Sequence, residues 1–355
     1  MHAIGTTLAG RSHITRGVGC EDAFRISQSA DQIWTSAVLC DGCGSVPKAA
    51  EGAAFISTYL STALLELTAR LEREGPGEWV IDAAVVRIAA LREAMRSELK
   101  GPIGDYAATV IAALVSRQGG FILHIGDGIA SSFTATGKVG GELAVSCQSD
   151  PKNGEFINQT FYLTGSDWIR HIQLIPVSRP SLILLCTDGA QELLYEGTSP
   201  HSNSLSTLLA RSLTDAGKGE ELLGNALLAL DSPSNSGDDL GCVILYAQEI
   251  QSLAAAGRLS ILVAPTPPPP TLPPPPASPL PPRRPKTPGS AQPMPLRMVG
   301  SRQLQMWSLR DFLIALLLSL AIIAFLFSAY LVLPELWSAF WKYIGNGFGP
   351  ATRAA

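Results

Sequence analysis

Five acidic positions in this chain stand at the ends of apolar, strand-like runs. Three are Asp-Gly pairs, at residues 41–42, 127–128 and 188–189, and two are the acidic pairs Glu21-Asp22 and Asp238-Asp239. A single Asp-Gly pair is most often a turn, because Gly tolerates positive φ and Asp bonds its own backbone. A strand end is also where a rigid scaffold holds a side chain for chemistry. Asp41 and Asp188 precede predicted helices rather than tight hairpins, so we expect the five positions to converge in one pocket.

Converging carboxylates repel one another, and a bound divalent cation usually offsets this repulsion. Oxygen ligands without a cluster of His or thiolate ligands favour Mg²⁺ or Mn²⁺. Several carboxylates fit two adjacent ions, and that arrangement serves in-line displacement at phosphorus. The acidic positions therefore predict a metal-assisted reaction on a phosphate group.

Other enzyme classes leave no signature in the chain. A thiol phosphatase needs Cys-x5-Arg, and Cys20 and Arg25 miss that spacing by one residue. The sequence has no Gly-x-Ser-x-Gly elbow and no Gly-x4-Gly-Lys-Ser/Thr loop, which disfavours a serine hydrolase and a kinase.

The first 250 residues predict a mixed α and β domain. Runs rich in Val, Ile and Leu predict strands at 33–40, 107–116, 121–127, 181–187 and 240–246. Leucines at three-to-four spacing predict a helix over about 47–73, and further helices are predicted over 79–99, 204–214 and 218–230. Long helices between groups of strands favour sheets covered by helices.

Composition limits the partners and the compartment. The net charge of −4 gives no sign of nucleic-acid binding. Several of the six cysteines lie in apolar runs, as expected of reduced core residues. The N-terminus has no apolar run typical of a secretory signal.

The C-terminal third predicts a spacer and a membrane anchor. Residues 265–295 hold 16 of the 26 prolines, which favours an extended linker, or alternatively a docking site for a proline-reading domain. Residues 312–333 carry no charge and are long enough to cross a bilayer. Basic residues are more numerous before this span than after it, which places the N-terminal domain in the cytoplasm. The predicted parts are residues 1–250 as the domain, 251–308 as linker, 309–334 as transmembrane helix and 335–355 as tail.

The acidic motifs, in their order along the chain, resemble the type 2C family of metal-dependent serine/threonine phosphatases, bacterial branch. The segments that carry the resemblance are "GCEDAF", "VLCDGCGS", "YAATVIAALV", "LHIGDGIASSF", "GEFINQTFYLTG", "LLCTDGAQELL" and "GDDLGCVIL". The resemblance covers about residues 4–247. It implies an α+β fold, a four-layer α/β/β/α sandwich of two antiparallel sheets flanked by helices.

The resemblance also implies roles for the acidic residues. Asp41 would bridge two metals, with the Gly42 carbonyl as a further ligand, and Asp188 and Asp238 would complete the site. Asp22 would serve the same metals, and Glu21 would hold them through water. Asp127 matches a position that helps to bind a third ion, so two or three Mg²⁺ or Mn²⁺ ions are expected. The metals would activate a water that attacks phosphorus directly.

Three positions depart from the family pattern. Cys43 stands where many eukaryotic members have a His that is thought to protonate the leaving group; a packing role is the favoured interpretation. No Arg matches the family's phosphate-binding Arg in spacing, so Arg16 is the first candidate, with His13 as a second and Arg11 as a fallback. Asp239 replaces the usual Asn and is expected to support the site from behind.

The prediction is a membrane-tethered cytoplasmic phosphatase acting on phosphoserine and phosphothreonine, with Asp41, Asp188 and Asp238 as its catalytic core. Expected partners are phosphorylated proteins, a membrane serine/threonine kinase and its substrates, and membrane lipid. The alternative is a catalytically weak, phosphatase-like domain that acts as a membrane-anchored binding or scaffold module. The retained acidic residues favour the enzyme.

Overall fold

Two β-sheets form the centre of the protein in the computed structural model, which describes residues 1–136, 141–152 and 160–262. The strands are β1 (His2–Leu8), β2 (Ala23–Gln28), β3 (Thr35–Cys40), β4 (Val110–Val115), β5 (Gly119–Ile125), β6 (Ile129–Ala135), β7 (Glu142–Gln148), β8 (Gln173–Ser178), β9 (Leu182–Cys186), β10 (Tyr195–Glu196), β11 (Ser199–Pro200), β12 (Leu240–Tyr246) and β13 (Ser260–Leu262). The first sheet has the order β1-β12-β9-β6-β7-β13, the second has the order β2-β3-β4-β5-β8, and β10 and β11 form a separate pair.

Helices cover the outer face of each sheet. The covering helices are α2 (Ala49–Leu65), α3 (Thr68–Glu74), α4 (Trp79–Glu98), α5 (Asp188–Leu194), α6 (Ser202–Ser212), α7 (Gly219–Leu230) and α8 (Gln248–Ala255). The short helix α1 (Arg11–Arg16) lies outside the apolar clusters that cover the sheets. One apolar cluster joins α2, α3 and α4 to the second sheet, and another joins α5 to α8 to the first sheet. The arrangement confirms a mixed α+β fold with two main sheets flanked by helices.

A third apolar cluster fills the space between the sheets. It contains Leu39 and Ile111 from the second sheet and Ile183, Leu185 and Val243 from the first, all of them fully or almost fully buried. Successive strand residues point to opposite faces of a sheet. Strands that are buried on both faces therefore read as continuous apolar runs, which is why β3, β4, β9 and β12 are predictable from the sequence.

The predicted helix over 47–73 is two helices. Leu60, Leu64, Leu67 and Leu71 are all buried, so the predicted apolar stripe is confirmed. The helix nevertheless breaks after Leu65, where the Thr68 hydroxyl donates to the Leu65 carbonyl at 2.9 Å. A side chain that bonds the backbone locally competes with the regular helical ladder.

The folded region continues past residue 250, which was the predicted end of the domain. That residue falls inside α8, and β13 follows it. β13 pairs with β7 in parallel, so the first sheet is antiparallel at every strand pair of the described residues except this one.

The proline-rich segment and the predicted transmembrane helix lie outside the described residues and stay predictions. Within residues 1–136, 141–152 and 160–262, no helix combines the length and the apolar character that membrane crossing requires.

Candidate metal centre

Strand register brings four of the five acidic positions together at one end of the two sheets. β2 and β3 pair Ala23 with Cys40, which places Asp22 beside Asp41. β9 and β12 pair Cys186 with Cys242, so Thr187 lies opposite Gly241. The segments that carry Asp188 and Asp238 therefore leave the first sheet at the same end.

Asp127 reaches the same place by a change of sheet. β5 lies in the second sheet and β6 in the first, so Asp127 and Gly128 connect the two sheets rather than turning a hairpin. A hairpin is therefore excluded at this Asp-Gly pair, and the connection between the sheets places Asp127 near the other acidic residues.

The acidic residues line a cleft of about 330 Å³. Asp41, Asp127, Asp188 and Asp238 face it, together with Ser12, His13, Arg16, Cys43, Ser45 and Tyr162. Gly42 also lines it. Asp22 does not: it is 6% exposed and lies behind the cleft. The structure thus brings the predicted residues together, with Asp22 in a supporting position.

Three threonines hold the carboxylates and their backbone in place. The Thr187 hydroxyl donates to Asp22 Oδ2 at 2.9 Å, and the Thr160 hydroxyl donates to Asp127 Oδ2 at 2.5 Å. The Thr109 hydroxyl accepts from the Asp41 N–H at 3.1 Å. Thr109, Thr160 and Thr187 all fall within the motif segments quoted above, so the sequence indicates their positions but not their hydrogen-bond partners.

Glycine is required beside two of the acidic residues because backbone approaches closely there. A Cβ at Gly42 would lie 2.6 Å from the Glu21 carbonyl oxygen. A Cβ at Gly189 would collide with the Asp239 carbonyl oxygen. The Asp-Gly pairs at 41–42 and 188–189 therefore combine an acidic side chain with a backbone that can pack against the neighbouring acidic pair.

Two carboxylate oxygens of the centre are left without a partner. Asp22 Oδ1 and Asp127 Oδ1 are buried and accept no hydrogen bond from the described residues. An unpartnered buried carboxylate oxygen is costly unless a cation or a donor satisfies it. Both oxygens belong to a set of oxygen ligands suited to Mg²⁺ or Mn²⁺, so the residues present fit the predicted metals.

Burial and mutual repulsion disfavour ionisation of these carboxyls. Burial raises the pKa of Asp41 well above its usual range, and the charges of Asp22 and Asp188 raise it further. Burial, with Asp127 and Asp238, raises the pKa of Asp188 to about 7. The pKa values of Asp22 and Asp127 are raised as well, in each case mainly by burial. Like charges within a few ångströms and low local dielectric both favour the neutral acid, and a bound cation reverses that preference.

We expect the metal-free protein to lose thermal stability as the pH rises from about 4 to about 7. A carboxyl whose pKa is raised on folding stabilises the protein below its unfolded pKa of 3.8, and this stabilisation disappears as the pH passes its folded pKa, about 7 for Asp188. Tm measured by circular dichroism after removal of metal should therefore fall across this window, and excess Mn²⁺ should abolish most of the fall. Asp188→Asn should flatten the metal-free profile. A metal-free Tm that rises steadily over the same range would contradict the repulsion.

Asp239 acts as a backbone clamp next to the centre. Its Oδ1 accepts from the Gly10 N–H at 2.7 Å and its Oδ2 accepts from the Glu21 N–H at 2.6 Å. The side chain is 3% exposed. It therefore ties the start of α1 and the Glu21-Asp22 segment to β12, in agreement with the supporting role expected from the sequence.

His13 lies between carboxylates on the wall of the cleft. Its Nδ1 is 2.9 Å from Asp239 Oδ1, without hydrogen-bond alignment, and its Nε2 is 3.8 Å from Glu21 Oε2. Possible ligand atoms of His13, Asp238 and Asp239 all lie within 4.8 Å of one another. Among the described residues, these three side chains therefore form a group that could hold a cation. Both Asp239 oxygens already accept backbone N–H groups, so Asp238 is the member of this group with a carboxylate to offer.

Arg16 and Arg11 have different surroundings. Arg11 pairs with Asp231 at 2.9 Å and donates to the carbonyls of Ser232 and Asn235, so it holds the loop before β12. Arg16 lines the cleft, donates to the Ser12 carbonyl at 3.2 Å, and has no carboxylate partner among the described residues. A guanidinium beside a cleft of carboxylates, and not paired with one, is placed to meet an anion.

Cys43 also lines the cleft, and its Sγ lies 3.1 Å from the Ser45 hydroxyl oxygen. Its position beside Tyr162 was not foreseen, because residue 162 lies more than a hundred residues away in the chain. Cys43, Ser45 and Tyr162 therefore line the cleft with thiol and hydroxyl groups next to the acidic residues.

The chain is similar to known protein phosphatases. A family model described as Protein phosphatase 2C matches residues 9–227, more than half of the chain. The chain is 26% identical over 200 residues to Serine/threonine-protein phosphatase 3 of Escherichia coli (strain K12), covering 54% of this chain and 75% of that protein.

Solved structures of bacterial phosphatases align with the chain at lower identity. The serine/threonine phosphatase Stp1 from Staphylococcus aureus aligns with a TM-score of 0.47 and 17% identity, over 70% of this chain and 95% of that one. The S. agalactiae serine/threonine phosphatase aligns with a TM-score of 0.46 and 13% identity, over 70% and 99% of the two chains. On the match to the family model, the chain belongs to the protein phosphatase 2C family of metal-dependent serine/threonine phosphatases.

Proposed function

We propose that the protein hydrolyses phosphoserine and phosphothreonine in other proteins at the cleft formed by Asp41, Asp127, Asp188 and Asp238, with two or three Mg²⁺ or Mn²⁺ ions. The observation that carries the proposal is the convergence of these carboxylates in one cleft, with buried oxygens on Asp22 and Asp127 that have no partner among the described residues. When bound, the metals neutralise the carboxylates and supply a water activated for attack on phosphorus.

The residues of the chain would divide the remaining work. Asp41 directly follows β3, and Asp188 begins α5 two residues after β9. Burial and neighbouring carboxylates disfavour the free charge of both, so they are the proposed central ligands, with Asp238 completing the set. Asp22 and Glu21 would support the ligands and their waters from behind. Asp127, held by Thr160, is the proposed ligand of an additional ion. Arg16 would bind the non-reacting phosphate oxygens.

A binding module without turnover is the alternative. It would retain the fold and the cleft and bind phosphoproteins, but it would release no phosphate. The full acidic set, and an arginine that has no carboxylate partner among the described residues, favour the enzyme over the module. Multiple-turnover release of phosphate from phosphothreonine, phosphoserine and phosphotyrosine peptides separates the two. We expect the first two peptides to be hydrolysed; less than one turnover on every peptide would favour the module.

The proposed location is the cytoplasmic face of a membrane. The uncharged segment 312–333, the basic residues before it and the proline-rich spacer support a single-pass anchor. A spacer of this composition would let the domain reach membrane proteins near its anchor, such as a serine/threonine kinase or its substrates.

The full chain is expected to stay with membranes after carbonate washing, because a 22-residue apolar helix does not partition into water. A chain that ends at residue 262 should remain in the supernatant. Protease added outside intact cells should leave the phosphatase domain uncut. Release of the full chain by carbonate would refute the anchor, and digestion of the domain from outside would refute the orientation.

A further inference from the structure

A second, larger groove of about 610 Å³ opens from the metal cleft. It shares Asp127 and Asp188 with the cleft and continues along α5, Gly197 of the β10–β11 turn, and residues 234–236. A phosphorylated side chain that enters the cleft brings its polypeptide with it, and that polypeptide needs a path over the adjoining surface. The groove provides such a path.

The wall of the groove offers hydrogen-bond acceptors and negative charge. Gln191 lines it, and the Oε1 atom of Gln191 is buried without a partner among the described residues. The described lining residues include three carboxylates, Asp127, Asp188 and Glu192, and no Lys or Arg. Asp127 and Asp188 are proposed metal ligands, so their charge is compensated in the loaded enzyme. Glu192 is not a proposed metal ligand, so its carboxylate supplies the net negative charge of the described groove lining.

The Glu192 carboxylate is held in place. Glu192 follows Asp188 by four residues on α5, so the two side chains lie on the same face of the helix. Glu192 Oε2 accepts from the Ser236 N–H at 2.9 Å, and the other carboxylate oxygen accepts no hydrogen bond from the residues that the structure describes. The bond fixes the negative charge on the groove wall, about one helical turn from the metal cleft.

We propose that this groove binds the polypeptide that flanks the phosphorylated residue, and that Glu192 selects a basic side chain there. The inference rests on the proposed function and adds the substrate feature that the site recognises. A Lys or Arg would meet an anchored carboxylate, whereas an acidic side chain at the same place would be repelled.

A set of phosphothreonine peptides tests the proposal. Each peptide carries one Lys, or one Glu, at a single position within four residues on either side of the phosphothreonine, in an otherwise neutral sequence. For the full chain loaded with Mn²⁺, kcat/KM should be about threefold to fivefold higher for Lys than for Ala at one or two positions on one side, the size expected of one exposed ion pair. The preference should shrink in high salt.

Three variants separate charge from structure. Glu192→Gln keeps an acceptor for the Ser236 N–H and removes the charge, so it should abolish the Lys preference. Glu192→Lys should turn it into a preference for Glu. Glu196→Gln removes a charge from an exposed residue that does not line the groove, and it should leave the preference intact. Hydrolysis of p-nitrophenyl phosphate, which has no flanking polypeptide, should stay within about twofold of the wild type in all three.

The outcomes are distinct. A wild-type enzyme without a positional Lys preference, or a preference that survives in Glu192→Gln, would overturn the inference while the proposed function stands. A loss of p-nitrophenyl phosphate hydrolysis in Glu192→Gln equal to the loss on peptides would show that Glu192 only holds the loop, and would also overturn it. Absence of hydrolysis of every substrate by the wild type would overturn the proposed function and the inference together.

Discussion

Asp41→Asn and Asp188→Asn should each lower kcat by about 10² or more on a phosphothreonine peptide, because each removes a proposed metal ligand from the cleft. Both side chains face the cleft, and both pKa values are raised by burial and by neighbouring carboxylates. An amide keeps the shape of the side chain but neither its charge nor its affinity for a hard cation. Initial rates at saturating Mn²⁺ give kcat for each variant.

The Tm of each metal-free variant distinguishes the loss of a metal ligand from a loss of folding. Replacement of a buried, repelled carboxylate by an amide should leave that Tm unchanged or raise it near pH 7.5. Asp82→Asn is the matched control, since Asp82 is an exposed residue of α4 and lies outside the cleft. Full turnover in Asp41→Asn or in Asp188→Asn would refute the assignment of the metal centre.

Arg16→Ala should lower kcat/KM on the same peptide by about tenfold to a hundredfold, the range for loss of a charged hydrogen bond to a phosphate. Arg16 lines the cleft and lacks a carboxylate partner in the described residues, whereas Arg11 is committed to Asp231. Arg16→Lys should recover part of the loss, because the charge remains but the bidentate geometry does not.

Arg25→Ala serves as the control for Arg16, because Arg25 is an exposed residue of β2 that does not line the cleft. It should retain wild-type kcat/KM. An Arg16→Ala variant with unchanged kcat/KM would show that phosphate is held by another group, and His13, which also lines the cleft, would then be the next candidate to replace.

The strands and helices differ in how far the sequence predicts them. β3, β4, β9 and β12 are buried on both faces and have continuous apolar runs, so composition alone locates them. β2 and β8 consist mostly of partly or fully exposed residues, so no continuous buried run marks them. The pairing of β8 with β5 also joins residues far apart in the chain. β13 has three residues and is stabilised by its pairing with β7, which no local pattern reveals.

The acidic centre was predictable because its residues share one chemistry and one kind of position. Carboxylates at strand ends are visible in a linear sequence, and the resemblance to a family gave their roles. The hydrogen-bond partners of these acidic residues were not predictable in the same way. Asp239 contacts Gly10 across more than two hundred residues, and Thr160 contacts Asp127 after a connection that changes sheets. Such contacts depend on the topology of the fold, and the types and spacing of residues along the chain do not predict them.

The most direct test of the metal centre is the rate of phosphate release from a phosphothreonine peptide by metal-stripped protein, measured as Mn²⁺ or Mg²⁺ is added back. We expect no measurable rate without metal, a saturable increase with either ion, and complete loss on addition of excess chelator. A rate that is equal with and without metal would contradict the central claim that the converging carboxylates form a metal centre on which hydrolysis depends.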